Sequence, residues 1–317
     1  MAKSNRLDVK VFENQYRDHL SGFREWSERD HAEEWLVFPK NCGRRLSIDE
    51  VAIMHGELYT IVTNKAARGK KGALVAIVKG TKAGDVIEAL RRIPGRIRRM
   101  TTEITADMSP TMEHIARTAF PAAKLTTDRF HVQQLVSEAV QEVRMMYRRE
   151  AIAAENTAIM EARKAGRKYA PERLANGDTE KELLARSVHL LFKPNSRWYP
   201  QQKERAEILF ARYPNLKHAY DLSMCFRNIY ETAKSREDAK EKLALWRLKV
   251  ESSKLPSFQI PADTIEAREE TILNYFNDRS TNASAESFNA KLKNFRSVVR
   301  GVRDKKFFLF RVATIYG

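Results

Sequence analysis

Three acidic residues stand where an acid does more than solvate a surface. Asp49 interrupts the apolar, β-branched run 46–53, and Asp107 follows directly on the run 98–105. Glu286 lies in a helix-patterned segment near the C terminus, where Ala285, Phe288, Leu292 and Phe295 form an apolar stripe. Asn282, Glu286, Asn289 and Lys293 share another face of that helix. Carboxylates brought together repel one another unless cations sit between them, and hard oxygen donors suit Mg²⁺ or Mn²⁺. Two such ions about 3.5–4 Å apart activate an attacking oxygen and stabilise a leaving one during displacement at phosphorus. A lone Asp at a strand end is more often a turn or cap residue, so the set gains weight only from the elements that would gather it.

Those elements can be read in order. Residues 1 to about 40 are patterned as helix, with Phe12, Tyr16, Phe23 and Trp26 on one side, ending at the turn signal 39–43. The runs 46–53, 58–63 and 73–78 predict an antiparallel meander, with a basic loop (Lys65, Arg68, Lys70, Lys71) before the third strand. Thr81 can cap a helix that stops at Ile93-Pro94-Gly95, and 98–105 reads as a fourth strand ending at Asp107. Ser109-Pro110 signals a helix start, 124–127 a short fifth strand, and a long helix follows Asp128. Residues 151–270 are charged, rich in helix formers and nearly free of strand signals. The expected fold is α/β: an RNase H-like mixed sheet flanked by helices, with a large all-helical insertion before the last catalytic helix. The expected organisation is a helical segment 1–44, the first part of the core 45–150, the insertion 151–270, and the closing helix with a basic tail 271–317.

Charge points to the partner. Lys plus Arg number 57 against 41 acidic residues, a net charge of +16. Such an excess favours a polyanion, because each phosphate contact releases condensed counterions. The two cysteines, Cys42 and Cys225, are too far apart in sequence for a zinc ribbon or a disulfide framework. No apolar run approaches the roughly 20 residues of a membrane span, and no signal peptide is evident, so a cytoplasmic, nucleoid-associated protein is expected.

Four strings stand in order along the chain: Leu46-Ser47-Ile48-Asp49-Glu50; Ile104-Thr105-Ala106-Asp107-Met108-Ser109; Thr127-Asp128-Arg129-Phe130-His131-Val132; and Ser280-Thr281-Asn282-Ala283-Ser284-Ala285-Glu286-Ser287-Phe288-Asn289-Ala290-Lys291. Together they closely resemble transposases of the ISL-three family of bacterial insertion sequences, over a stretch from about residue 40 to the C terminus. The resemblance implies that Asp49, Asp107 and Glu286 are a DDE triad holding two Mg²⁺ or Mn²⁺ ions. Water would cleave at a transposon end, and the freed 3′-hydroxyl would then attack target DNA. Asp128 and His131 match an accessory motif. Asp128 is also the rival for second acid, and His131 either serves the site or packs a helix start. Lys70, Lys71, Asn289, Lys293, Arg296, Arg300 and Arg303 are the expected contacts to double-stranded DNA, with a homodimer as the active assembly.

Members of the family carry an N-terminal zinc-binding and helix-turn-helix region that reads the transposon ends. Here 48 residues precede Asp49, with one cysteine among them. The expectation is that a separate DNA-binding protein reads the ends and docks on the apolar side formed by Phe12, Tyr16, Phe23 and Trp26. The alternatives are a stand-alone nuclease or junction resolvase, and a domesticated DNA-binding protein without catalysis.

Overall fold

A computed structural model describes residues 9–54, 56–279, 281–298 and 304–317. Short apolar, β-branched runs in the first third, separated by turns, form a meander of three antiparallel strands, β2 (Arg45–Met54), β3 (Glu57–Asn64) and β4 (Leu74–Lys79). An earlier strand, β1 (Trp35–Val37), pairs with β4 at the sheet edge. β5 (Glu103–Ala106) and β6 (Lys124–Thr127) extend the sheet from β2 in parallel. The result is one six-stranded mixed sheet in the order β1-β4-β3-β2-β5-β6.

Helices cover both faces. α2 (Ala83–Arg91) and α4 (Pro110–Ala119) bury Val86, Leu90, Met112 and Ile115 against Leu46, Ile48, Ile104 and Ala106. On the other face, α14 (Ala283–Val298) and α15 (Lys305–Tyr316) bury Phe288, Leu292, Phe308 and Val312 against Val51, Ile53, Tyr59 and Ile61. The short α3 (Gly95–Arg98) occupies the start of the run expected as a fourth strand. The Pro94-Gly95 step opens a helical turn, and the Arg98 guanidinium donates to the carbonyls of Ile93 and Ala119. Thr81 caps nothing: α2 begins after Lys82 with no side-chain cap.

The N-terminal segment departs most from expectation. α1 (Val9–Gln15) and a π-helical turn, Tyr16–Leu20, give way at Gly22, whose φ of +75° ends the helix. Turns then lead to β1, where Leu36 is fully buried. Part of the apolar side expected to receive a partner protein, Phe23 and Trp26, packs against α15, while Tyr16 stays exposed. Phe23 packs on Phe307 and Phe310 at ring-centroid distances of 5.2 and 5.5 Å, and Trp26 lies 5.3 Å from Phe310. The supposed basic tail is therefore in part a helix, α15, capped by the Asp304 carboxylate on Phe307 N (3.0 Å), with its aromatics in the core.

The chain divides into two compact units, Met1–Arg129 with Asp278–Gly317, and Phe130–Asn277. The second contains no strand among its described residues. Its helices are α5 (Arg129–Lys164), α6 (Glu180–Arg186), α7 (Val188–Leu191), α8 (Pro200–Arg212), α9 (Pro214–Thr232), α10 (Arg236–Ser253), α11 (Gln259–Ala267), α12 (Glu269–Leu273) and α13 (Tyr275–Asp278). Phe226, Tyr230 and Trp246 are buried together, and Trp246 Nε1 donates to the Leu222 carbonyl at 2.9 Å. Among the described residues no helix is long and apolar enough to cross a membrane.

Candidate active site

Register places the aspartates. In the parallel pair β2–β5, Ser47 lies opposite Thr105, so Asp49 and Asp107, each two residues further on, come level. In the next pair Thr105 lies opposite Thr126, which brings Asp128 level with Asp107. The Asp128 amide continues that ladder by donating to the Ala106 carbonyl at 2.8 Å. Three aspartates thus stand in a row across the middle of β2 and the ends of β5 and β6, at strand spacings of about 4.8 Å.

α14 crosses above this row. Its apolar stripe (Ala285, Phe288, Leu292) turns the Asn282–Asn289 side toward the aspartate row. Asn289 Nδ2 donates to Asp49 Oδ2 at 2.7 Å, and the backbone amide of Asn282 donates to Asp128 Oδ1 at 3.3 Å. Glu286 lies on the helix between those two contacts, just as Asp107 lies between Asp49 and Asp128 on the sheet. Glu286 is exposed and Asp107 half-buried, whereas Asp128, Asn282 and Asn289 are buried.

Two further bonds of the acids are local. Asp49 Oδ1 accepts from Glu50 N at 2.9 Å, and Asp107 Oδ1 accepts from Ser109 N at 2.9 Å, closing the turn into α4. Ser109 is thus the N-cap residue of α4, though its own side chain caps nothing. Burial holds the Glu50 carboxyl above the usual carboxylate range, and the charges of Asp107 and Asp49 push it further the same way. That field is what a divalent cation would relieve, and the donors are hard oxygens, so the donor chemistry fits Mg²⁺ or Mn²⁺. Among the described residues, however, no three His, Cys, Asp or Glu side chains are grouped closely enough to hold an ion unaided.

Beneath the row lies a buried polar layer absent from the sequence reading. Lys65, expected in the DNA-facing loop, turns inward and donates to Glu103 Oε1 at 2.9 Å and to the Thr105 hydroxyl. Burial lowers the Lys65 pKa, opposed chiefly by Glu103. The hydroxyls of Ser47 and Thr63, opposite each other on β2 and β3, find no hydrogen-bond partner among the described residues.

The expected DNA contacts separate into four groups. Lys70, Lys71 and Lys293 are exposed. Lys291 Nζ donates to the Gly69 carbonyl at 2.9 Å, tying α14 to the loop that carries Lys70. Arg296 is half-buried, its guanidinium 5.9 Å from the Phe308 ring centre. Asn289 is buried and faces Asp49 rather than solvent. Arg300 and Arg303 lie outside the described residues. His131 belongs to the helical unit, where its ring meets Phe130 edge to face at 5.7 Å.

The sequence pattern puts Asn282 and Asn289 on one face with Glu286 but does not show that they bond Asp128 and Asp49. The seven-residue spacing of the two asparagines, with Glu286 between, was the one available signal. A family model described as a transposase, that of the DDE-type ISL-three (ISL3) group, matches residues 46–312. No curated protein and no solved structure matches the chain. That match takes in the acid row, the helix above it and the whole helical unit: the chain belongs to the ISL-three family of DDE transposases.

Proposed function

We propose that this chain is the catalytic subunit of metal-dependent DNA transposition, built on an RNase H-like fold. The strand order β4-β3-β2-β5-β6, three antiparallel strands followed by two parallel ones, supports that fold. The observation that carries the function is the level placement of Asp49 and Asp107 under the helix that bears Glu286. These three would hold two Mg²⁺ or Mn²⁺ ions, which when bound supply Lewis-acid stabilisation of the oxygens entering and leaving phosphorus. The chain's own residues bind and orient. Lys70, Lys71, Lys293 and Arg296 take DNA phosphates, and Asn289 holds the Asp49 carboxylate in place. The reaction is hydrolysis of a phosphodiester at the element's end, followed by attack of the freed 3′-hydroxyl on a target phosphodiester. Two ends handled together would bring two copies of the chain into one complex, in keeping with the homodimer expected from the sequence.

The test is cleavage of a labelled duplex carrying the element's end, with Mg²⁺ or Mn²⁺ and with EDTA. The wild-type chain should yield a 3′-hydroxyl product only with the cation. Asp49→Asn, Asp107→Asn and Glu286→Gln should each fall to background while DNA binding survives, since each removes a ligand charge at nearly constant volume. Wild-type cleavage by any one of them removes that residue from the triad. In the same preparations, DNA affinity should fall with salt by a log–log slope of about 0.9 per phosphate contact. Neutralising Lys70 or Lys293 should flatten that slope, and an unchanged slope would assign the contact elsewhere.

A further inference from the structure

We infer that Asp128 and Asn289 are positioning residues, two polar clamps that fix where α14 holds Glu286 above the middle of β2 and the end of β5. The inference rests on the transposase reading, but its physical content concerns the helix. An apolar stripe fixes which face of a helix is buried far better than it fixes sliding along the axis. Phe288 and Leu292 could shift along the groove and remain dry, whereas a buried hydrogen bond to a fixed partner specifies register. α14 has one such bond at each end of the segment that matters. At its start, Asp128, 2% exposed, accepts from the amide of Asn282, 1% exposed. The Asn282 carbonyl in turn accepts from Glu286 N at 3.0 Å, so the first turn is joined covalently and by hydrogen bonds to the clamped residue. Two turns on, Asn289 donates to Asp49.

The spans agree. Seven residues of helix rise about 10.5 Å. Two strand spacings, from β2 to β6, come to about 9.6 Å. The helix therefore bridges the outer aspartates of the row with its own two clamps, which leaves Glu286 over the middle one. Asp128 acts here through an acceptor oxygen and not through its charge. That separates this role from the rival one, in which Asp128 is itself a ligand acid.

The experiment compares Asp128→Asn, Asp128→Leu and Asn289→Leu in the full chain. It measures cleavage of the end duplex, DNA affinity, and peptide-level amide hydrogen exchange. Asp128→Leu and Asn289→Leu should each lower kcat by about 10- to 100-fold, the usual loss when a residue supporting a metal ligand is removed. The KM for DNA should change little. Exchange should quicken across 281–290 while β2 and β5 keep their protection. Asp128→Asn retains an acceptor oxygen and should recover cleavage to within a few-fold of wild type. If Asp128→Asn is as inactive as Asp49→Asn, Asp128 works by charge and the inference fails. Unchanged exchange and cleavage in both leucine variants would also overturn it. Should Asp128→Leu not fold, Asn289→Leu, which matches asparagine in heavy-atom count and branching, carries the same exchange test. Should the wild-type chain cleave nothing, the transposase reading falls while the exchange data still decide whether the clamps hold the helix.

Discussion

Consecutive residues of β2 face two different interiors. Leu46 and Ile48 point into a dry layer against α2 and α4. Ser47 and Asp49, one residue along, point toward a layer of hydroxyls, the Lys65–Glu103 pair and the polar side of α14. The dry face is what a sheet does by default, since burying an apolar side chain contributes roughly 1.5–3 kcal/mol. The other face forgoes that gain at several positions. An unpartnered buried hydroxyl such as Ser47 Oγ or Thr63 Oγ1 costs about 1–3 kcal/mol. On β2 and β3 the penalty falls at Ser47 and Thr63, beside the aspartate row. Two residues further along β2, Val51 and Ile53 return the same face to apolar packing under α14. The contrast shows that α14 has two tasks on one surface: closing a core at one end and roofing a polar site at the other.

The most damaging way to break this contrast is to strand a charge in the polar layer. Lys65→Met removes the cation that faces Glu103, which is 8% exposed. Losing one partner of a buried pair costs about 3–5 kcal/mol. Urea unfolding should show that loss, and adding Glu103→Leu should return much of it, since no buried charge then remains. A single variant within 1 kcal/mol of wild type would mean, against the roughly 3–5 kcal/mol expected, that Glu103 does not depend on Lys65. The corresponding change on the dry face is Ile48→Val, which removes one methylene from a fully buried side chain. It should cost about 0.5–1.5 kcal/mol and leave cleavage per folded molecule as it was. A specific loss of cleavage there would mean that the two faces are coupled.

Much of the dry face was legible in the sequence and much of the polar one was not. Apolar, β-branched runs of strand length bounded by turn signals expose β2, β3 and β4, because a strand covered on both faces reads as a continuous apolar run. The aspartates stand out as charges inside or directly after those runs. The stripe of α14 was equally plain, being three or four residues apart and bounded by polar positions. Lys65 was not: four basic residues share its loop, and the one that turns inward is chosen by Glu103, 38 residues away. β1 was hidden because three residues are too few to show a period, and helical spacing of aromatics masked them. α15 buries Phe307, Phe308, Leu309 and Phe310 in succession, so a helix enclosed on several sides shows no stripe. The Asn289 bond depends on where a helix crosses a strand 240 residues earlier, which no local pattern carries.

The smallest effect should mark where the polar layer ends. Tyr59 lies opposite Val51 on β3, at the border where the face turns apolar. Burial, with help from the neighbouring Glu57 charge, pushes its phenol up to about 12. Its hydroxyl donates to Glu57 Oε2 over a long 3.4 Å, so Tyr59→Phe should cost less than the roughly 1 kcal/mol of an ordinary hydrogen bond at pH 7. The sign reverses in alkali. Between the unfolded value near 10 and the folded value near 12, the unfolded chain has lost this proton and the native chain keeps it. Stability must then fall as pH rises through that window. Tyr59→Phe has no such proton to lose. Thermal unfolding of both chains from pH 7 to 11 should show the variant level with or slightly below wild type at neutrality, and above it past about pH 10. Other tyrosines and the lysines titrate in both chains, so the difference isolates this one group. A difference that stays constant across the range would mean that the Tyr59 hydroxyl reaches solvent, and that the polar layer extends past Val51.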